Sequence, residues 1–146
     1  MAAPIDHHLE SLGTYLKERL NNAGAALSNP VTVVQDVSYM GDINPTDNFP
    51  LLLVYRTGGS GYGGDSKQSF EIVYLLSNYG DRFDIPRVLA WVFEDYNPEN
   101  IINLLINYYS TTDHCGSLDL FSLDWNYSYR AIGNSAGGRL KFDLLP

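Results

Sequence analysis

Residues Phe49 to Tyr55, FPLLLVY, are apolar without alternation. A strand that offers apolar side chains to both of its faces needs cover on both, so this segment belongs inside a sheet. Pro50 has no N–H to give to a ladder and is tolerated because it stands at the segment's start. The chain must therefore build a sheet with a layer packed on it. Its 146 residues are the size of one domain and bury enough surface on folding to do this without staples. We read residues 1–146 as a single domain, since no repeat or linker divides the sequence.

The flanking segments supply the rest of the layer. Ile5, Leu9, Leu12, Leu16 and Leu20 form one stripe at helical spacing, which predicts a helix from Ile5 to about Asn22, with Gly24 suited to its end. Val31 to Met40 alternates, with Val31, Val33, Val37 and Tyr39 on one face, and predicts a strand. Gln68 to Leu76 predicts another. Phe70, Ile72, Tyr74 and Leu76 form one of its faces, and on the other Ser69 and Glu71 give way to Val73 and Leu75.

Asp84 followed by Ile85-Pro86 is an N-cap with proline in the first turn, predicting a helix over 85–96. Asn97-Pro98 repeats that signature and predicts a second helix from Pro98 to Tyr109. Phe121, Leu123, Trp125, Tyr127 and Tyr129 alternate with polar residues, and a Gly/Asn/Ser turn separates them from a last strand, Leu140 to Leu145. The order is α-β-β-β-α-α-β-β. It specifies an α+β fold, a mostly antiparallel sheet with an N-terminal helix and two central helices packed on it.

Charge narrows the function classes. Nine Lys and Arg against seventeen Asp and Glu leave a net charge of −8, which disfavours a nucleic-acid gripper and a polybasic membrane binder. One cysteine, Cys115, allows no intrachain disulfide. The first ten residues lack the basic and apolar regions of a signal peptide, and the longest apolar run is too short to span a bilayer. The expectation is a soluble chain folding in a reducing cytoplasm. Eleven tyrosines, six phenylalanines and two tryptophans suit either a surface buried against other proteins or a tyrosine-rich sheet.

No catalytic set emerges. Gly59, Gly61 and Gly64 match G-x-G-x-x-G, but β alternation follows where a dinucleotide site needs a helix N-terminus. Gly58 to Gly64 therefore reads as a hairpin loop, with Tyr62 at its tip, that orders against a partner. Asp113, His114 and Cys115 are adjacent, which rarely holds a base against a nucleophile. With His7 and His8 they make no metal spacing, and those two read as exposed first-turn residues. We expect no enzymatic activity, cofactor or metal.

Two features point to interaction instead. The helix from Pro98 has a narrow polar stripe of Asn100, Asn103 and Asn107, and is apolar around the rest of its circumference. Such a helix should be buried on two sides, one of them another subunit. Tyr62, Ile102, Ile106 and Tyr109 are the candidate interface residues. Between Arg87 and Arg130 there are acids but no Lys or Arg. Glu94, Asp95, Glu99, Asp119 and Asp124 are read as an acidic face that would repel nucleic acid or steer a basic partner.

With its N-terminal helix IDHHLESLGTYLKERL, its strand pair FPLLLVYR and QSFEIVYLLS joined by a loose loop, and its closing hairpin, the chain resembles the tail-terminator (tail-completion) family of long-tailed bacteriophages. The resemblance implies a non-enzymatic virion protein, assembled in the host cytoplasm. It would form a homo-oligomeric ring, usually a hexamer, that caps the tail tube and joins it to neck and connector proteins. DNA would pass through the ring without specific binding, and no membrane would be involved. Other neck or connector proteins share much of this pattern. A small α+β enzyme or ligand-binding domain, or an adaptor that heterodimerises through the same helix, are the rival classes.

Overall fold

The computed structural model describes residues 4–25, 32–39, 48–60, 67–76, 85–94, 97–111, 117–126 and 137–145; of residues 4–7, 60, 85–87, 111, 117–126 and 145 it describes the backbone. Helix α1 (Pro4–Gly24) precedes strands β1 (Asp36–Ser38), β2 (Leu51–Ser60) and β3 (Lys67–Leu75). Helices α2 (Ile85–Phe93) and α3 (Ile101–Thr111) follow, then β4 (Ser117–Asn126) and β5 (Gly137–Leu145). Among the described residues these strands form one five-stranded sheet, ordered β1-β2-β3-β5-β4. The β1–β2 pair is parallel and the other three pairs are antiparallel. The α+β fold and its element order are those the sequence specifies.

All three helices lie on one side of the sheet. Leu9, Leu12, Leu16 and Leu20 of α1 are buried against Leu52 and Val54 of β2 and Phe70, Ile72 and Tyr74 of β3. Val88, Leu89 and Val92 of α2, with Ile101, Leu104, Leu105 and Tyr108 of α3, close the same core over Leu140, Phe142 and Leu144. On the opposite face Leu51, Leu53, Val73 and Leu75 form a second buried cluster. Strand β2 is thus an inner strand that is apolar on both faces, as FPLLLVY requires.

Several boundaries differ from the sequence reading. The strand expected over 31–40 is only Asp36–Ser38. Val33 and Val34, which an alternating strand would put on opposite faces, are both buried. The backbone there is held by a side chain: the Asn21 amide donates to the Val34 carbonyl at 2.8 Å, and its oxygen accepts from the Val33 and Val34 N–H groups at 3.1 and 2.8 Å. The Tyr74 hydroxyl donates to the Val33 carbonyl at 2.7 Å. With its polar groups met this way, the segment needs no ladder.

Helix α3 starts at Ile101, not Pro98, because Asn100 is its N-cap: Oδ1 accepts from the Asn103 N–H at 3.0 Å. Gly58, Gly59 and Ser60 belong to β2, paired with Ser69, Gln68 and Lys67 beyond a bulge at Thr57. The rest of the expected loop, with Tyr62, lies outside the described residues, as does Asp84. In β4 the register shifts between Leu120 and Ser122, so Phe121 is the bulged residue. The phase of the strand changes there: Leu118 and Leu120, then Leu123, stand opposite Leu144, Phe142 and Leu140. The strand begins before the expected alternation, and past the bulge Leu123 and Trp125 share one face as expected, opposite Leu140 and Gly138.

Candidate functional site

The outward side of α3 is the first candidate surface. Ile101, Leu104, Leu105 and Tyr108 face the core, and Ile102 is half-buried against it. Ile106 is 46% exposed, the larger exposure of the two large apolar side chains exposed among the described residues, the other being Tyr39. Around Ile106 stand Asn103, Asn107 and Ser110, none of them charged. The Asn103 amide folds back onto the Pro98 carbonyl at 3.2 Å and the Ser110 hydroxyl onto the Asn107 carbonyl at 3.2 Å. Among the described residues the helix is therefore covered on one side, where its composition called for two.

Tyr109, expected beside Ile106, turns inward. Its ring stacks with His8 at 5.7 Å between centroids and meets Tyr108 edge-on at 5.0 Å. Its hydroxyl lies 2.8 Å from His8 Nε2. His8 also stacks on Phe70 at 5.9 Å, so it is a packed residue rather than the exposed one its place near a helix start implied. Burial raises the Tyr109 hydroxyl well above the ordinary phenol range, its neighbour Tyr108 adds to this, and Arg56 partly offsets it.

The second candidate lies on the other face of the sheet, in residues the sequence reading did not single out. Glu71 and Asp143, on adjacent strands, are both 7% exposed. Arg139 Nε stands 2.6 Å from Glu71 Oε1, an ion pair rather than an aligned hydrogen bond, and the Tyr55 hydroxyl donates to Glu71 Oε2. Asp143 accepts from the Ser69 hydroxyl at 2.7 Å and lies 3.5 Å from Lys67 Nζ. Each buried carboxylate thus has its own cation and its own hydroxyl donor. That arrangement satisfies the charges and leaves neither acid as a ready base. The signal in the sequence was two acids at inward strand positions, Glu71 and Asp143, with a cation two residues from each on a paired strand. Register between strands is needed to see it.

Tyr55 carries a pH dependence. Burial first, and then its hydrogen bond and proximity to Glu71, push its phenol up to about 12. An unfolded tyrosine titrates near 10. A raised folded value means that the contribution is full below about pH 10 and is lost as pH climbs from about 10 to 12. In alkaline unfolding followed by tyrosinate absorbance, Tyr55→Phe should start less stable at pH 8 and lose stability less steeply above pH 10. Parallel curves for the two proteins would show that the phenol is not coupled to folding.

The expected acidic face is divided. Glu99 forms an ion pair with Arg19 of α1, and Glu94 stands just beyond α2 on the helix side of the sheet. Asp119 and Asp124 take register positions opposite Asp143 and Arg139, on the face away from the helices. Asp95, and the Asp113, His114 and Cys115 group, lie outside the described residues. No group of three or more His, Cys, Asp or Glu is placed to hold a metal ion among the described residues. No described helix is long and apolar enough to cross a membrane. No protein-family model matches the sequence, and a search of curated proteins finds no match.

Proposed function

We propose that this chain is a structural, non-enzymatic subunit that assembles with copies of itself into a ring. The reading extends to a tail terminator of a long-tailed phage, located in the virion between tail tube and neck. One observation carries the self-association: the outward face of α3, with Ile106 46% exposed among uncharged neighbours. Two copies that each carry a net charge of −8 repel, and the repulsion is least where the apposed surfaces hold no charge. Covering Ile106 removes apolar surface from water at ~25 cal/mol per Å². A closed head-to-tail ring leaves no such face unmatched.

The element order and the mostly antiparallel sheet support the tail-terminator reading through the resemblance set out above. The acidic lumen expected from the sequence has weaker support, because Glu99 is paired with Arg19 and the aspartates of β4 belong to the other face. The test is the mass in solution across a wide concentration range, with negative-stain images of the same sample. A ring of six subunits is expected, and Ile106→Glu should give soluble monomers, since the side chain is outside the core. A wild type that stays monomeric at high concentration would overturn the reading. A ring with a basic channel would keep the assembly and remove the electrostatic argument.

A further inference from the structure

Strand β1 is an edge of the sheet among the described residues, and beside it runs an open groove of about 470 Å³. Helix α1 walls the groove from Thr14 to Asn22, and Asp36, Val37 and Tyr39 form its other side. Gly13 lets the helix come this close, since a Cβ there would stand 2.8 Å from the Tyr39 hydroxyl and 2.9 Å from Val37 Cγ1. The parallel register Asp36↔Leu51 and Val37↔Leu52, with the Asp36 N–H on the Pro50 carbonyl at 3.4 Å, turns the bonding groups of Asp36 toward β2. A planar trans peptide sets its N–H and C=O on opposite sides, so the Gln35 carbonyl and the Val37 N–H point away from β2. On such groups a further strand would build. Each is already taken by a charged side chain. Lys17 Nζ donates to the Gln35 carbonyl at 3.1 Å, and Asp36 Oδ1 accepts from the Val37 N–H at 2.9 Å.

We propose that Lys17 and Asp36 hold this edge shut against strand addition, each standing in for a backbone group of the strand it excludes. The ammonium sits where an added strand's N–H would donate, and the carboxylate where its carbonyl would accept. Hydrogen bonds with one charged partner are stronger than those between neutral amides. An extended chain entering the groove must therefore break two charge-assisted bonds to make two ordinary ones. Strand β1 is only three residues long, so it has little more ladder to offer in return. Short length and charged side chains are the usual protection of an edge, and here the charges act through the backbone itself. The device belongs to α1 and β1 and does not depend on the ring.

The experiment is fluorescence anisotropy of a labelled, acetylated and amidated hexapeptide of alternating Thr and Val, titrated with the full chain. The proteins are wild type, Lys17→Met, Asp36→Ala, Asp36→Asn and the double variant Lys17→Met with Asp36→Ala. Lys17→Met keeps an unbranched stem and loses the donor, whereas Asp36→Asn keeps an oxygen for the Val37 N–H. The double variant should bind the peptide about tenfold tighter than wild type, the effect of removing two such bonds from the edge. Asp36→Asn should follow wild type, and the same peptide N-methylated at alternate residues should show no gain. If thermal unfolding shows that the double variant does not fold, the two single variants, both outside the core, carry the test with about threefold each. No gain on removing the caps, a gain that survives N-methylation, or an Asp36→Asn that gains as much as Asp36→Ala would overturn the proposal.

Discussion

Replacing Gly137 with alanine should unfold this protein or come close to it. The residue begins β5 and pairs with Leu75, while its neighbour Gly138 pairs with Tyr74. A Cβ at Gly137 would fall within the van der Waals radius of the Tyr74 carbonyl oxygen, 3.0 Å from that carbonyl's carbon and 3.2 Å from the Leu75 Cα. All three are backbone atoms of an inner strand, so no rotamer change relieves the overlap. Strand β5 must move away from β3, and it carries with it Leu140 and Phe142 of the core and the Arg139–Glu71 ion pair. Large effects of single substitutions come from a short list of causes, and backbone displacement across a core is among them. The expected cost is about 4 kcal/mol or more, a large share of the ~5–15 kcal/mol that holds a domain together. Denaturant unfolding with an unchanged slope would measure it. A loss under about 1 kcal/mol would mean that β5 can shift without cost, contrary to the close β3–β5 fit.

What the sequence made legible were the features fixed by local period. The stripe Leu9, Leu12, Leu16 and Leu20 lies buried along α1, and Phe70, Ile72 and Tyr74 share the helix-covered face of β3. Ile106, singled out the same way, is exposed on the outward side of α3, whereas Ile102 packs against the core. What stayed hidden depends on partners far along the chain. Val33 and Val34 look like strand residues until Asn21 is seen to hold their backbone. Tyr109 looks like an interface residue until His8, over a hundred positions earlier, is found stacked on it. The Glu71 and Asp143 pairs need the β3–β5 register, and the phase change in β4 needs the bulge at Phe121. Period reports which face a residue takes. It does not report what stands across from it.

The elbow between α2 and α3 gives the second large expected effect, and it rests on two buried asparagines. Asn97 and Asn100 are each 1% exposed. The Asn97 amide donates to the Trp91 carbonyl at the end of α2, and its oxygen accepts from the Glu99 N–H at 3.0 Å. The Asn100 amide donates to the Asn97 carbonyl at 2.8 Å and the Glu94 carbonyl at 3.4 Å, while its oxygen caps α3 at Asn103. Helix ends leave backbone groups without intrahelical partners, and here two side chains serve the last carbonyls of one helix and the first N–H of the next. Asn100→Ala strips the cap and leaves buried carbonyls short of donors, so it should cost about 2–3 kcal/mol. Asn100→Ser tests the split between those causes: a hydroxyl restores the cap and cannot span the turn to both carbonyls, so it should recover about 1 kcal/mol and no more. Asn97→Ala with Asn100→Ala should cost less than the two changes added, because both act on one turn. Chemical unfolding of the wild type and the four variants, Asn97→Ala alone included, decides it. Full additivity would mean that the two amides hold separate pieces of backbone, and the elbow would then be a consequence of the helix packing rather than its cause.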